Sequence, residues 1–421
     1  MVAPATTVET VFARTAPPVP ALLRSDRIVS VDLLRGIVMI IMALDHVRDH
    51  VTGNAFIPED MTHTYGWLFF TRWITHFCAP TFFFLAGTGA YLALGRGKSS
   101  AQVSRFFWTR GLWLVFLELT VINFAWTFTL RLGGGLVIWA LGWSMVVMAL
   151  LVRLPVKWVG AFGVAMIALH NLTDRVDPVR WGKLAPLWTF LHVPGVIPLP
   201  KAQFFFVLYT LIPWVGVMAA GYAFGAILRK PPADRQRVTF WIGASATLAF
   251  IVLRAARLYG NLPAGLPFGM PFSTGAWQHY PQLSLTVISF FNVEKYPPSL
   301  QFLLMTLGPA LLLLAWLDRV TQGGHLIAPG RWTLVYGRVP MFYYVSHIFL
   351  VHLLAVGAAI VFGQPSTWLL HGGFFGAPPG YGHGLPFAYA IWALAVVLLY
   401  VPCAWYAALK ARRKDWWLSY I

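Results

Sequence analysis

Long apolar stretches alternate with short polar ones along this chain. The clearest runs from Ser30 to His50, SVDLLRGIVMIIMALDHVRDH. Nothing between Gly36 and Leu44 ionises, while Asp32 and Arg35 stand at one end and Asp45, His46, Arg48, Asp49 and His50 crowd the other. Several runs exceed the roughly 18 apolar residues at which crossing a membrane explains the pattern better than a buried core helix. Irregular backbone cannot face lipid, and the blocks are continuous rather than alternating, so the pattern predicts helices and not a barrel. Ten spans are predicted, at 33–51, 67–94, 106–128, 134–152, 157–171, 203–228, 238–257, 298–317, 333–362 and 386–409. The expected class is an all-α, polytopic transmembrane helix bundle. Residues 1–29 are expected as a disordered cytoplasmic tail, 30–415 as the membrane domain and 416–421 as a short C-terminal tail.

Composition supports this frame. Of 421 residues, 58% are hydrophobic and 11% charged, against about one-quarter charged in ordinary globular domains. The net charge of +17 does not indicate nucleic acid, because the Lys and Arg are scattered through short loops between apolar blocks. Their bias toward alternate loops instead predicts both termini on the cytoplasmic side and an even number of spans. Cys78 and Cys403 both fall inside apolar spans, so neither a disulfide framework nor a paired zinc motif is present. Two outer connections, Gly260 to Pro298 and Gln364 to Pro386, are long and rich in Gly, Pro and aromatics, so they are expected either as disordered segments or, as the aromatic and Gly content favours, as lids over a site.

Ionisable residues at membrane depth are costly, so each is a candidate for function. Arg35 and His46 are eleven residues apart, three turns of helix, and project from nearly the same face roughly 16 Å apart. Arg72 and His76 form an i, i+4 pair in the second span, Glu118 sits mid-depth in the third, and His347 and His352 lie in the ninth. His347 and His352, five residues apart, point about 140° away from each other and suit separate environments. Glu118 fits a structural bond to a neighbouring helix as well as it fits a site, and Arg72 can snorkel to the interface. His46, flanked by carboxylates, suits a general base. Asp45, His46, Asp49 and His50 have metal-like spacing, yet no third imidazole or thiolate is supplied locally and no metal is expected. Phosphate loops, dinucleotide fingerprints and nucleophile elbows are missing from the sequence.

At RIVSVDLLRGIVMIIMALDH the chain resembles the heparan-alpha-glucosaminide N-acetyltransferases and their bacterial relatives. The similarity continues through FFTRWITHFCAPTFFFLAGTGAYL, KYPPSLQFLLMTLGPALLLL, YGRVPMFYYVSHIFLVH and the closing WWLSYI. It also looks like the wider group of membrane acyltransferases that modify polysaccharides, in which an Arg precedes a His by eleven positions. The resemblance implies transfer of an acetyl group from cytoplasmic acetyl-CoA, across a bacterial cytoplasmic membrane, to a hydroxyl or amine of an extracytoplasmic saccharide. It makes 30–415 an acyltransferase domain with His46 as general base or acyl carrier, Asp45 and His76 as further site members, and Arg35 on the coenzyme's route. Arg72 or a protonated His76 would supply the oxyanion donor. His46, His50 and His63 can each claim the active histidine's position; His46 is preferred, with His63, Glu118 and His347 in reserve. Arg96, Lys98, Arg105 and Arg110 suit the coenzyme phosphates, as loops on that side do by topology alone. The expected partners are membrane lipid and the saccharide acceptor; homo-oligomerisation is compatible with the sequence and nucleic acid is not. The competing reading is a transporter of a glycan or acyl donor using the same outward-facing polar pocket without chemistry, although the internal repeats common in such proteins are not apparent.

Overall fold

The computed structural model describes residues 27–53, 56–130, 133–200, 203–261, 275–322, 326–372, 377–413 and 415–420. Most of the expected N-terminal tail, and residues 262–274 and 373–376 of the two long outer connections expected as lids, therefore lie outside the described residues. The protein is a helix bundle, with helices at all ten predicted positions. Seven of its described helical segments are long and apolar enough to cross a membrane by length and composition. These are Gly66–Leu94, Val156–Thr173, Leu211–Leu228, Pro232–Ala255, Leu300–Val320, Pro340–Val361 and Leu385–Arg412.

Helix α1 (Val29–Val51) is the centre of the bundle. Asp32 in its first turn and Arg48 and His50 in its last complement the helix dipole, and Thr52 closes the end by donating from its hydroxyl to the Arg48 carbonyl at 2.9 Å. Helices α2 (Gly66–Trp73) and α3 (Cys78–Leu94) are one span tightened by a 3₁₀ turn at Ile74–Phe77. Pro80 has no N–H for the carbonyl of His76 four residues back, which accounts for the irregular turn. Helix α4 (Ser100–Leu117) opens with a capping box, in which the Ser99 hydroxyl accepts from the Gln102 amide and the Gln102 side chain accepts from the Ser99 amide. It continues through a π turn at Glu118–Ile122 into α5 (Asn123–Thr127).

Helices α6 (Val137–Leu151), α7 (Val156–Leu169) and α8 (Ala185–Leu191) follow. Helix α9 (Leu211–Leu228) is deeply buried, whereas α7 and α10 (Pro232–Ala255) present mostly exposed apolar faces, as lipid-facing helices do. Beyond these come α11 (Leu283–Phe291), α12 (Leu300–Val320), α13 (Ala328–Arg338), α14 (Pro340–Val361) and α15 (Leu385–Arg412). Gly36 on α1 and Gly337 on α13 let the two backbones touch: a Cβ on Gly36 would strike the Thr333 carbonyl, and one on Gly337 would strike that of Asp32.

Three local expectations change. The predicted span 203–228 starts with a strand, since β3 (Gln203–Val207) pairs antiparallel with β2 (Gly195–Leu199) and parallel with β1 (Gly134–Gly135). QFFFV is a short aromatic run, a pattern that periodicity cannot separate from a helix start. The predicted span 333–362 is two helices, because Val339 leaves helical geometry at φ −128°, ψ 47° ahead of Pro340. Residues 416–419 of the expected tail form a 3₁₀ turn whose neighbour Tyr420 shares a 2.7 Å hydrogen bond with Thr109 on α4.

Candidate active site

A cavity of about 490 Å³ lies beside α1, walled by α3, α4 and α6, within the size range of small-molecule sites. Its mouth is basic. Arg35 from α1, Arg96 and Lys98 from the turn after α3, and Arg110 from α4 line it, together with Arg27, Arg338 and Lys410. Asp32 is set among these cations, accepting from Arg35 Nη1 at 3.0 Å with Arg27 and Arg338 each at 3.6 Å. The middle is apolar, with Phe82, Phe83, Leu114, Leu141 and Met145 on the walls. At the inner end the lining is Asp45, His46, Tyr209, Lys295 and Tyr344. The rise of α1 puts about 16 Å between the two ends.

His46 is held by a second imidazole. Its Nδ1 lies 2.6 Å from Nε2 of His347, with the rings stacked at 4.9 Å, and Trp126 packs edge-on at 4.7 Å. The other nitrogen of His347, Nδ1, faces the Tyr343 carbonyl at 3.0 Å and so carries a proton. A neutral His347 therefore has its lone pair on Nε2, accepts the Nδ1–H of His46, and leaves the His46 Nε2 lone pair unengaged among the described residues. That tautomer is the one a general base needs.

Behind His46 runs a chain of charges. Asp45 accepts from Arg48 at 3.0 Å and from Arg72 through a short contact. Arg72 also donates through Nε to Glu59 at 2.9 Å, and Glu59 lies 3.4 Å from His76 Nε2. Arg72 is thus engaged by two carboxylates, and neither it nor His76 lines the cavity. Burial by itself would raise the Glu59 carboxyl, but the Arg72 guanidinium and then His76 outweigh it and hold the group well below the usual carboxylate range. Glu59 sits in the connection between α1 and α2, where the Asn292 side chain donates to its backbone carbonyl at 2.9 Å and locks that connection to the one before α12.

The remaining predicted residues are elsewhere. Glu118 accepts from the amides of Ile138 and Trp139, both at 3.0 Å, and so caps α6, which has no capping side chain of its own. His63 is exposed and bonded to Asp60 at 2.8 Å, and with Thr62 it holds that carboxyl down at about 2. Arg105 is exposed and does not line the cavity. His50 donates to the His46 carbonyl at 2.8 Å and stacks on Trp126. His352 is set between the carbonyls of Ala125 and Leu369 at 2.9 and 3.0 Å, turned away from His347.

Lys295, Tyr209, Glu59, Arg338 and Lys410 were not singled out by sequence reasoning as site residues. Lys295 had one visible signal, a lysine in the NVEKYPP segment beside a long apolar span. Arg338 had another, a charge inside the predicted span 333–362; Tyr209, Glu59 and Lys410 had none, since only the tertiary packing brings them to α1.

Residues 27–258 match the family described as heparan-alpha-glucosaminide N-acetyltransferase, catalytic. The match covers α1 to α10 and stops short of Lys295 and His347. No curated protein matches the chain. The family and the apolar helices together make this an integral membrane protein with an acetyltransferase-like function.

Proposed function

We infer the activity from family and geometry together: the chain belongs to the heparan-alpha-glucosaminide N-acetyltransferase catalytic family, and it moves an acetyl group from acetyl-CoA to a hydroxyl or amine of a saccharide on the other side of the membrane. The observation that carries this reading is the cavity itself, which leads from a ring of cations to His46, whose Nε2 is unengaged among the described residues. Phosphates of the coenzyme would stay at Arg35, Arg96, Lys98 and Arg110 in cytoplasmic water, where guanidinium and ammonium groups pair with them. The slender arm would lie along the apolar middle and bring the thioester to the inner end.

A thioester is already activated, so the protein has to position it, deprotonate the acceptor and stabilise the charge that develops on the carbonyl oxygen. His46 Nε2 takes the proton of the acceptor O–H or N–H as that atom bonds to the thioester carbon. The tetrahedral intermediate collapses with loss of the coenzyme thiolate, which recovers the proton from the His46 imidazolium. Asp45 lies on the same turn as His46 and faces the cavity, where it favours the transient imidazolium. Site residues outside the cavity wall, Arg72 and His76 among them, act through Asp45 and Glu59.

Purified protein in lipid nanodiscs, given acetyl-CoA labelled in the acetyl group and a panel of amino sugars and saccharides, is expected to release coenzyme A and label an acceptor. His46→Ala should lower turnover by about 10²–10⁴-fold while still binding coenzyme A. Undiminished turnover in that variant, or no coenzyme A binding by the wild type, would overturn the assignment.

A further inference from the structure

The base at the inner end has a counterpart that neither family nor sequence assigned. We propose that Lys295 is a catalytic residue that donates to the thioester carbonyl oxygen and stabilises the oxyanion formed during transfer. This rests on the acetyl-transfer reading above and adds its missing electrophile.

Three observations support it. First, the obvious cations are spent: Arg72 donates to Asp45, Glu59 and, at 3.5 Å, to the Tyr296 hydroxyl, and it does not reach the cavity wall. His76 faces Glu59 and is likewise off the wall. Second, Lys295 lines the cavity with His46 and Asp45, is only 7% exposed, and makes no ion pair or side-chain hydrogen bond among the described residues. Its ammonium lies over the ring of Tyr296, 5.2 Å from the centroid. A cation kept out of bulk water, which shares the cavity with Asp45 without a direct ion pair among the described residues, is suited to a charge that appears only during reaction, where low dielectric makes its attraction strong.

Third, the segment carrying Lys295 is rigidly fixed. Arg254, itself 1% exposed, donates to the carbonyls of Ser289, Phe290 and Asn292 at 2.6 to 2.9 Å. Asn292 in turn ties to Glu59. The Glu294 side chain accepts from the Tyr296 amide at 3.2 Å, and the Glu294 carbonyl accepts from the Ser299 amide at 3.0 Å. Lys295 is thus supported from behind in the way a preorganised donor requires.

In the step itself, the acceptor oxygen or nitrogen bonds to the thioester carbon as His46 Nε2 removes its proton, and the carbonyl π electrons move to oxygen. The resulting oxyanion is met by Lys295 Nζ–H. Reforming the C=O bond breaks the C–S bond, and the thiolate takes the proton from His46. No external oxidant or reductant is involved.

The test compares wild type, Lys295→Met and Lys295→Arg for acetyl transfer, coenzyme A binding and the infrared carbonyl stretch of bound acetyl-CoA carrying ¹³C at the carbonyl. Lys295→Met should lower kcat by about 10²–10³-fold with coenzyme A affinity changed by less than about threefold. Lys295→Arg should recover part of the loss. The stretch should fall below its aqueous frequency in the wild type and return toward it in Lys295→Met. Retained kcat in Lys295→Met, or lost affinity with intact kcat, overturns the proposal while leaving acetyl transfer standing. Should Lys295→Met not fold, a wild-type stretch at the aqueous frequency overturns it equally. A wild type that neither binds coenzyme A nor transfers acetyl overturns the function and this inference with it.

Discussion

The two ends of the cavity use the same kinds of residue in opposite ways. At the mouth, seven cations share a space with Asp32, and Arg27 is well exposed, so its contact with Asp32 is screened by water. At the inner end, Asp45, Arg48, Arg72 and Glu59 are interlocked and shielded from solvent, and Lys295 makes neither an ion pair nor a side-chain hydrogen bond among the described residues. An excess of one sign spread over flexible side chains suits a large anion that comes and goes. A closed network with one unspent donor beside an imidazole suits a reaction. The difference is one of dielectric: a buried charge is tolerated only when paired or when its partner arrives with the substrate.

The largest structural effect expected is at the inner end. Arg72→Met would leave Asp45 and Glu59 buried without their shared guanidinium, and should cost about 3–5 kcal/mol, read as loss of unfolding stability in detergent. Stability unchanged to within about 0.5 kcal/mol would mean that the network does not hold the inner end together.

A second prediction uses pH. The Glu59 carboxyl is lowered in the folded state, so its contribution is fully present above the ordinary value of about 4.3 and is lost as pH falls from there toward the folded value. Unfolding stability of the wild type should therefore decline below that pH, and Glu59→Gln should be less stable at neutral pH with a shallower acid decline. Parallel acid profiles for the two proteins would remove Glu59 from the network.

The smallest effects belong to the mouth. Arg35→Gln and Arg110→Gln should each raise KM for acetyl-CoA by about 5–10-fold with kcat nearly unchanged, and should weaken its dependence on salt. Arg105→Gln, exposed and off the cavity wall, should leave both constants within about twofold. If Arg105 matters as much as Arg110, the mouth is a diffuse field and not a lined site.

The path from sequence to site was legible where the information was local. Arg35 and His46 share one helix face, so eleven residues of regular geometry put them at the two ends of one cavity. The divergence of His347 and His352 followed from the same periodicity, but that His347 would bond His46 did not, because 301 residues separate them. Glu118 looked equally like a site residue and a structural one. Its partners are the amides opening α6, and a missing cap on another helix is invisible from the carboxylate's own neighbourhood.

By itself, then, the sequence determined a membrane helix bundle, the apolar blocks that build it, and the helix carrying both a cation and an imidazole, since hydropathy and helical pitch are properties of neighbouring residues. Tertiary structure decided which tautomer His46 adopts, which carboxylates claim Arg72, and that Lys295 lines the cavity with the base. Those outcomes depend on side chains brought together across hundreds of residues, where burial makes each remaining hydrogen bond and charge decisive.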